Sequence, residues 1–383
     1  MLRRTLLRNG ALAALTGSLW RCEAAGRPLT PAEGPGRPLV SAAPATYGPL
    51  QAPNADGLAL PAGFTGRVIA RTGRRVAGLA WHPAPDGGAC FPDGEGWIYV
   101  SNSEVPLVGG ASALRFAADG TVRDAYRILS GSTLNCAGGA TPWNTWLSCE
   151  ETPRGRVFEC DPYGERSARP RLAMGRFQHE AAACDPENEV VYLTEDEPDG
   201  CFYRFRPTDW GDLTEGRLEV LCGTGDRVTW KRVPQPAALI KATRHQVPEA
   251  TRFAGGEGCH YAAGVCYFTT KHDNKVWAYD ARAGALRVLY DAKAPLSGVD
   301  NLTGAATGDL YVAEDGGNME INLITPQRTV EPFLRLDGHA RSEITGPAFS
   351  PDGRRLYFSS QRGRTGARAG TDGHTFEVTG PFR

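Results

Sequence analysis

The sequence predicts an all-β protein folded as a six-bladed β-propeller, and three observations carry that expectation. A short signature, an aromatic residue followed by an apolar and then usually a small one, recurs six times along the chain. Most copies are spaced almost evenly. Helical periodicity is nearly absent, while Gly, Asp and Pro punctuate short strand-like runs.

The copies are WIYVSNSE, NTWLSCEE, VVYLTEDE, GVCYFTTK, GDLYVAED and RRLYFSSQ, centred on Tyr99, Trp146, Tyr192, Tyr267, Tyr311 and Tyr357. Their separations are 47, 46, 75, 44 and 46 residues, the long interval marking an insertion around residues 206–250. A second strand-like run follows most copies, as in ALRFAADG, RVFECDPYG, CFYRFRP and KVWAYDARAG. A unit of this length with several short strands has the sequence form of a propeller blade. GFTGRVIAR near the start and HTFEVTG near the end are expected side by side, completing the last blade from both ends. The competing architecture is an open β-sandwich or a two-domain all-β chain.

With 383 residues, 41% of them hydrophobic, the chain has ample material for a core. Lys+Arg number 42 against 43 Asp+Glu, so the basic excess that nucleic acids or anionic membranes attract is missing. The start, MLRRTLLRNGALAALTGSLW, resembles a twin-arginine export signal, with Arg3 and Arg4 ahead of a short apolar run. Gly10, Thr16 and Gly17 interrupt that run, which is too short for a spanning helix, so no integral membrane segment is expected in the mature protein. Arg21 makes Cys22 a poor lipoprotein site. The expected organisation is a signal over 1–25, a Pro/Gly-rich linker over 26–61 and one propeller domain over 62–383, delivered to the periplasm or beyond by the twin-arginine machinery. That route carries folded proteins, often with a cofactor already inserted.

Loss of Cys22 leaves nine of the ten cysteines, an odd number in an oxidising compartment. Cys160, Cys184, Cys201, Cys222 and Cys266 lie in or beside apolar runs and are expected to be plain buried residues, with a Cys259–Cys266 disulfide left open.

In a propeller, equivalent positions of the repeats meet around one axis. About ten to fourteen residues before each aromatic stands a polar residue in a small-residue setting: Asp86 in PDGGACFP, Cys136 in NCAGG, Glu180 in HEAAA, Glu257 in GEGCH, Asp300 in VDNLTG and Glu343 in SEITGP. Singly, such acids are usually solvated turn residues and such a cysteine a core residue. Together they form a ring at one end of the channel, where five carboxylates repel unless protons or cations offset them. Oxygen ligands suit calcium, and a thiolate among them suits iron or zinc. Cys136 would be the soft ligand, Gly138 and Gly139 would admit backbone close to the site, and Glu150 and Glu151 would add oxygens. His179 and His260 would support neighbouring ligands. No GxSxG elbow, P-loop, HExxH or paired CxxC is present.

The segments GGACFP with YVSNSE, NCAGGATPWNTWLSCEE, GRFQHEAAA, GGEGCHY, GVDNLTG and EITGPAFSPDGRRLYF resemble the PhoX-type alkaline phosphatase family from about residue 58 to 365. The resemblance implies a six-bladed propeller with iron and calcium at the channel mouth. It makes Cys136 the iron-bridging cysteine and Glu150 or Glu151, Glu180 and Glu257 carboxylate ligands, with Asn102 and Asp300 near the substrate or a calcium. Better-known members place a lysine beside the asparagine and an arginine two residues before a ligand glutamate; here those positions are Ser101 and Gly255. The expected phosphate clamp is thus missing, and Lys271 and Arg362 are the candidate substitutes. The first functional expectation is a metal-dependent hydrolase acting on a small phosphoester. The alternatives are a calcium-dependent propeller lactonase or esterase, and a non-catalytic metal-binding propeller.

Overall fold

The computed structural model describes residues 46–292 and 294–383, which form six antiparallel sheets around one channel and one small two-stranded sheet, Arg75–Val76 with Leu79–Ala80, with no α-helix among the described residues. The expected signal over 1–25 and most of the expected linker lie outside the described residues. No helix among the described residues is long and apolar enough to cross a membrane.

Each blade begins at the channel and steps outward. The inner strands are Pro85–Asp93, Asn135–Ala140, His179–Asp185, Gly256–Ala262, Val299–Gly304 and Ile344–Phe349. The aromatic signature is the second strand of each blade: Gly96–Ser103, Trp146–Glu150, Val190–Glu195, Val265–Thr270, Leu310–Glu314 and Arg355–Ser360. These strands are buried almost from end to end because a blade packs against each face, so continuous apolar runs replace in–out alternation. Outer strands such as Val122–Ser132 return to a partly exposed pattern.

The core is divided into six clusters, each filling the gap between two neighbouring blades. Tyr99 of the first blade stacks on Tyr357 of the sixth with ring centroids 4.9 Å apart, and Phe202 of the third on Phe268 of the fourth at 4.2 Å. Burial of this aromatic surface holds the ring of blades together.

The chain closes the ring as the ends of the sequence imply. Thr65–Arg71 is the outermost strand of the sixth blade, paired with His374–Thr379, so the last sheet draws strands from both ends of the chain. The expected linker stops short of residue 61: Leu58–Ala59 pairs with Val330–Leu336 as a fifth strand of the fifth blade, and Leu58, Ala59 and Leu60 are buried. Their apolar side chains supply the reason. The insertion lengthens the third blade, where Asp212–Cys222 is followed by an extra outer strand, Thr229–Arg232. Its remainder returns over the blade, the Arg176 amide donating to the Pro236 carbonyl at 2.9 Å.

Small residues set the channel width. A Cβ at Gly139 would overlap the Ala182 carbonyl, and one at Gly258 would lie 2.6 Å from the Leu302 nitrogen. The channel below the polar ring encloses about 360 Å³, lined by residues that include Gly88, Gly139, Ala183, His260 and Gly304.

Candidate metal centre

Every inner strand leaves regular pairing near the same point. Three residue steps on the inner strand face two on the second strand at Pro85/Gly88, Asn135/Gly138, His179/Ala182, Gly256/Cys259, Val299/Leu302 and Thr345/Ala348. Such a bulge re-aims a side chain. In five blades the residue inside it, second in the strand, is Asp86, Cys136, Glu180, Glu257 or Asp300. The sixth blade departs from the expectation. The second residue of its inner strand is Thr345, whose hydroxyl donates to the Pro85 carbonyl at 2.9 Å. Glu343 instead enters from just before the strand, and it still reaches the ring.

A second tier comes from the residue that follows each second strand: Glu104, Glu151, Asp196, Lys271, Asp315 and Gln361. Sequence reasoning singled out only Glu151 and Lys271 among these, although each one ends a repeated unit. Gln361 Nε2 donates to Asp86 Oδ2 and Glu104 Oε2, both at 2.6 Å. Gln178 Nε2 donates to Glu151 Oε1 at 3.2 Å, and Asn301 Nδ2 to Asp300 Oδ1 at 2.8 Å. Lys271 Nζ lies 2.5 Å from Glu257 and 2.7 Å from Asp196, while Arg362 Nη2 lies 2.8 Å from Glu343.

The two tiers create four overlapping cradles in which one ligand atom per residue lies within 4.8 Å of the others: Asp86–Glu104–Cys136, Cys136–Glu151–Glu180, Glu180–Glu257–Asp300 and Asp300–Asp315–Glu343. Cys136 belongs to the first two, Glu180 and Asp300 to two each. Burial raises the Glu180, Glu257, Asp86 and Glu343 carboxyls well above the usual range, and neighbouring carboxylates raise them further. Burial and then Asp315 bring Asp300 to about 7; burial and then Glu104 bring Glu151 to about 9. The Cys136 thiol is also raised, by burial and then by Asp86 and Glu180, and it donates to Glu180 Oε1 at 3.2 Å. Without a cation this cysteine is a thiol; a cation beside it would favour the thiolate.

Two expected site residues are turned to other work. Glu150 is not part of the ring: alternation along the strand points it away from Glu151, and Arg156 holds it through Nε at 2.8 Å and Nη2 at 3.0 Å, with the Ser132 hydroxyl at 2.8 Å. Asn102, expected near the substrate or a calcium, spends its whole amide inside the protein. Its Nδ2 donates to the Cys136 and Ala137 carbonyls at 3.0 and 2.9 Å, and its Oδ1 accepts from Trp146 Nε1 and Ser148 Oγ at 2.9 and 2.8 Å. It fixes the backbone of Cys136 and Ala137. The histidines do not support ring ligands either. His179 faces the Gly175 carbonyl and the Phe177 ring, and His260 lies lower in the channel against Gly304. Ser101 is buried with His82, 3.2 Å from its Nε2. Cys259 and Cys266 are free thiols with Sγ atoms 3.3 Å apart.

The residues fit resident cations. Glu180 Oε2 is buried without a hydrogen-bond partner, a costly state for a carboxylate oxygen unless something positive or protonated meets it. Two cradles mix sulfur with oxygen, as a transition metal such as iron prefers, and share one cysteine; the other two are oxygen-only, as calcium prefers.

The sequence model of the family described as alkaline phosphatase PhoX matches residues 99–156 and 153–285. The chain belongs to the PhoX family. The PhoX match contains Cys136, Glu151, Glu180, Glu257 and Lys271 and ends before Asp300. No curated protein matches the chain. Among solved structures, a gluconolactonase from Xanthomonas campestris aligns over 90% of this chain and 99% of its own at 13% identity and TM-score 0.52. A protein of unknown function from Bacteroides thetaiotaomicron aligns over 82% and 76% at 10% identity and TM-score 0.53. At these identities the likeness shows the shared fold alone.

Proposed function

We propose that this PhoX-family propeller is an exported, metal-dependent hydrolase of small phosphoesters, using iron and calcium at the channel mouth. The observation that supports it best is the pair of cradles sharing Cys136, set beside oxygen-only cradles and within reach of two side-chain cations. Asp86, Glu104, Cys136, Glu151 and Glu180 would hold the iron, and Glu257, Asp300, Asp315 and Glu343 the calcium. Bound cations would offset the charge of the phosphoryl oxygens and polarise the phosphorus centre. The protein's own residues keep this arrangement in place. Asn102 pins the Cys136 backbone, Gln361 bridges Asp86 and Glu104, and the small residues below the ring let the inner strands approach closely.

Oxygen-only cradles also suit a calcium-dependent lactonase, and Ser101 and Gly255 supply no cationic clamp. Elemental analysis of protein from its native compartment, followed by assays on phosphomonoesters, phosphodiesters and lactones, separates the two. Iron with calcium and phosphoester turnover are the expected result. Calcium alone with lactone turnover replaces the proposal by its alternative.

A further inference from the structure

The two cationic side chains at the mouth are held by carboxylates that the cradles themselves need. Lys271 binds Glu257 of the Glu180–Glu257–Asp300 cradle, and Arg362 binds Glu343 of the Asp300–Asp315–Glu343 cradle with Nη1 4.0 Å from Asp315. A carboxylate oxygen already accepting from an ammonium or guanidinium has less to offer a metal ion, and a dication arriving beside it repels the side-chain cation. Both side chains are about a third exposed, 32% for Lys271 and 30% for Arg362, so each has an open path toward solvent at the mouth. Gly255, two residues before Glu257, has φ +75°, and a Cβ there would lie 3.0 Å from Asp196 Oδ1 and 3.2 Å from Lys271 Cγ. The space beside that position is shared by Asp196, His272 and the lysine stem.

We propose that Lys271 and Arg362 are exchangeable placeholders. They neutralise the ring while cations are absent; when calcium enters the cradles they are released toward the mouth and grip the substrate's phosphoryl oxygens, supplying the clamp that Ser101 and Gly255 do not. This rests on the hydrolase reading above and names the side chains that bind its substrate. A static ion pair would oppose or support the fold alone. A placeholder must instead compete with calcium when phosphate is absent and couple calcium to phosphate when both are present, and that coupling is reciprocal.

Calorimetric titration of the chelator-stripped full chain with calcium, with and without orthophosphate as probe, tests the inference. In the wild type, phosphate should tighten calcium binding. Arg362→Gln and Lys271→Met should each bind calcium about ten- to a hundredfold more tightly in the absence of phosphate, the worth of a lost hydrogen bond to a charged group. Each variant should also lose most of the phosphate-induced tightening. Arg362→Lys keeps the charge without the fork, so it should retain near-wild-type calcium affinity while binding phosphate more weakly. Melting curves of the stripped variants confirm that they are folded before they are titrated. Unchanged or weaker calcium binding in both neutral variants overturns the inference while leaving the site intact. A wild type that takes up no calcium overturns the calcium part of the site reading and the inference together.

Discussion

Replacing Glu180 with glutamine separates a metal ligand from a structural carboxylate. Glu180 belongs to two cradles, is buried, leaves Oε2 without a partner and accepts the Cys136 thiol at Oε1. Two full charges at the 4.8 Å limit of these cradles would repel by about 3.5 kcal/mol at an effective dielectric constant of 20. The cation-free protein avoids that repulsion by taking up protons, and each raised pKa unit costs about 1.4 kcal/mol at a pH where the unfolded chain is ionised. Glutamine keeps the size and an acceptor for the thiol but carries no charge. Glu180→Gln should therefore stabilise the cation-free protein by about 1–3 kcal/mol, a rise of a few degrees in Tm. It should also weaken cation binding by more than the roughly 10–100-fold that loss of an outer partner costs. Melting curves of chelator-treated protein, repeated across a calcium and ferrous iron series, read both effects, because ligand affinity appears as a concentration-dependent shift in Tm. A cation-free variant less stable than wild type, with cation-induced shifts intact, would show that Glu180 is an ordinary buried hydrogen-bonding residue and that the ring argument fails.

Cys136→Ser keeps the size of the side chain but removes the only sulfur from the cradles, so iron content and phosphoester turnover should fall together while calcium falls less, as elemental analysis would show. Glu150→Gln should cost about 1–3 kcal/mol through its lost charge on Arg156, with metal stoichiometry unchanged; loss of metal in this variant would return Glu150 to the site. Stability of the cation-free protein should fall as pH rises from about 4 to about 9, because Asp300 at about 7 and Glu151 at about 9 hold protons that the unfolded chain has released. Denaturant melts across that range, with and without saturating calcium, check the sign, and calcium should flatten the slope. Asn102→Ala should lower iron content by about tenfold in affinity through a loosened Cys136 backbone, with much less effect on calcium.

The blades were legible because the aromatic second strand is covered on both faces, which leaves a compact apolar run that repeats visibly. The first tier was legible for a related reason: a bulge beside a narrow channel demands small neighbours, so Asp86, Cys136, Glu180, Glu257 and Asp300 stand out among Gly and Ala. Glu343 was placed in the wrong slot because the sixth blade fills it with Thr345, and spacing to Tyr357 tolerates a shift of two residues. The second tier was hidden in plain view. It carries Glu, Glu, Asp, Lys, Asp and Gln at one structural position, so no residue-type pattern marks it and only the shared strand end does. Glu150 and Glu151 could not be told apart without knowing which face of the strand meets Arg156. Asn102 likewise needed the positions of Trp146, Ser148 and the Cys136 carbonyl, all distant in sequence, before its amide could be seen to be fully engaged.

Anomalous diffraction at the iron edge, from crystals of protein purified out of its native compartment, addresses the central claim most directly. The account predicts anomalous peaks at coordinating distance, about 2.3 Å for a metal–thiolate bond, from Cys136 Sγ, flanked by Glu151 and Glu180 on one side and Asp86 and Glu104 on the other. A ring filled only by calcium, or iron bound away from Cys136, would contradict it.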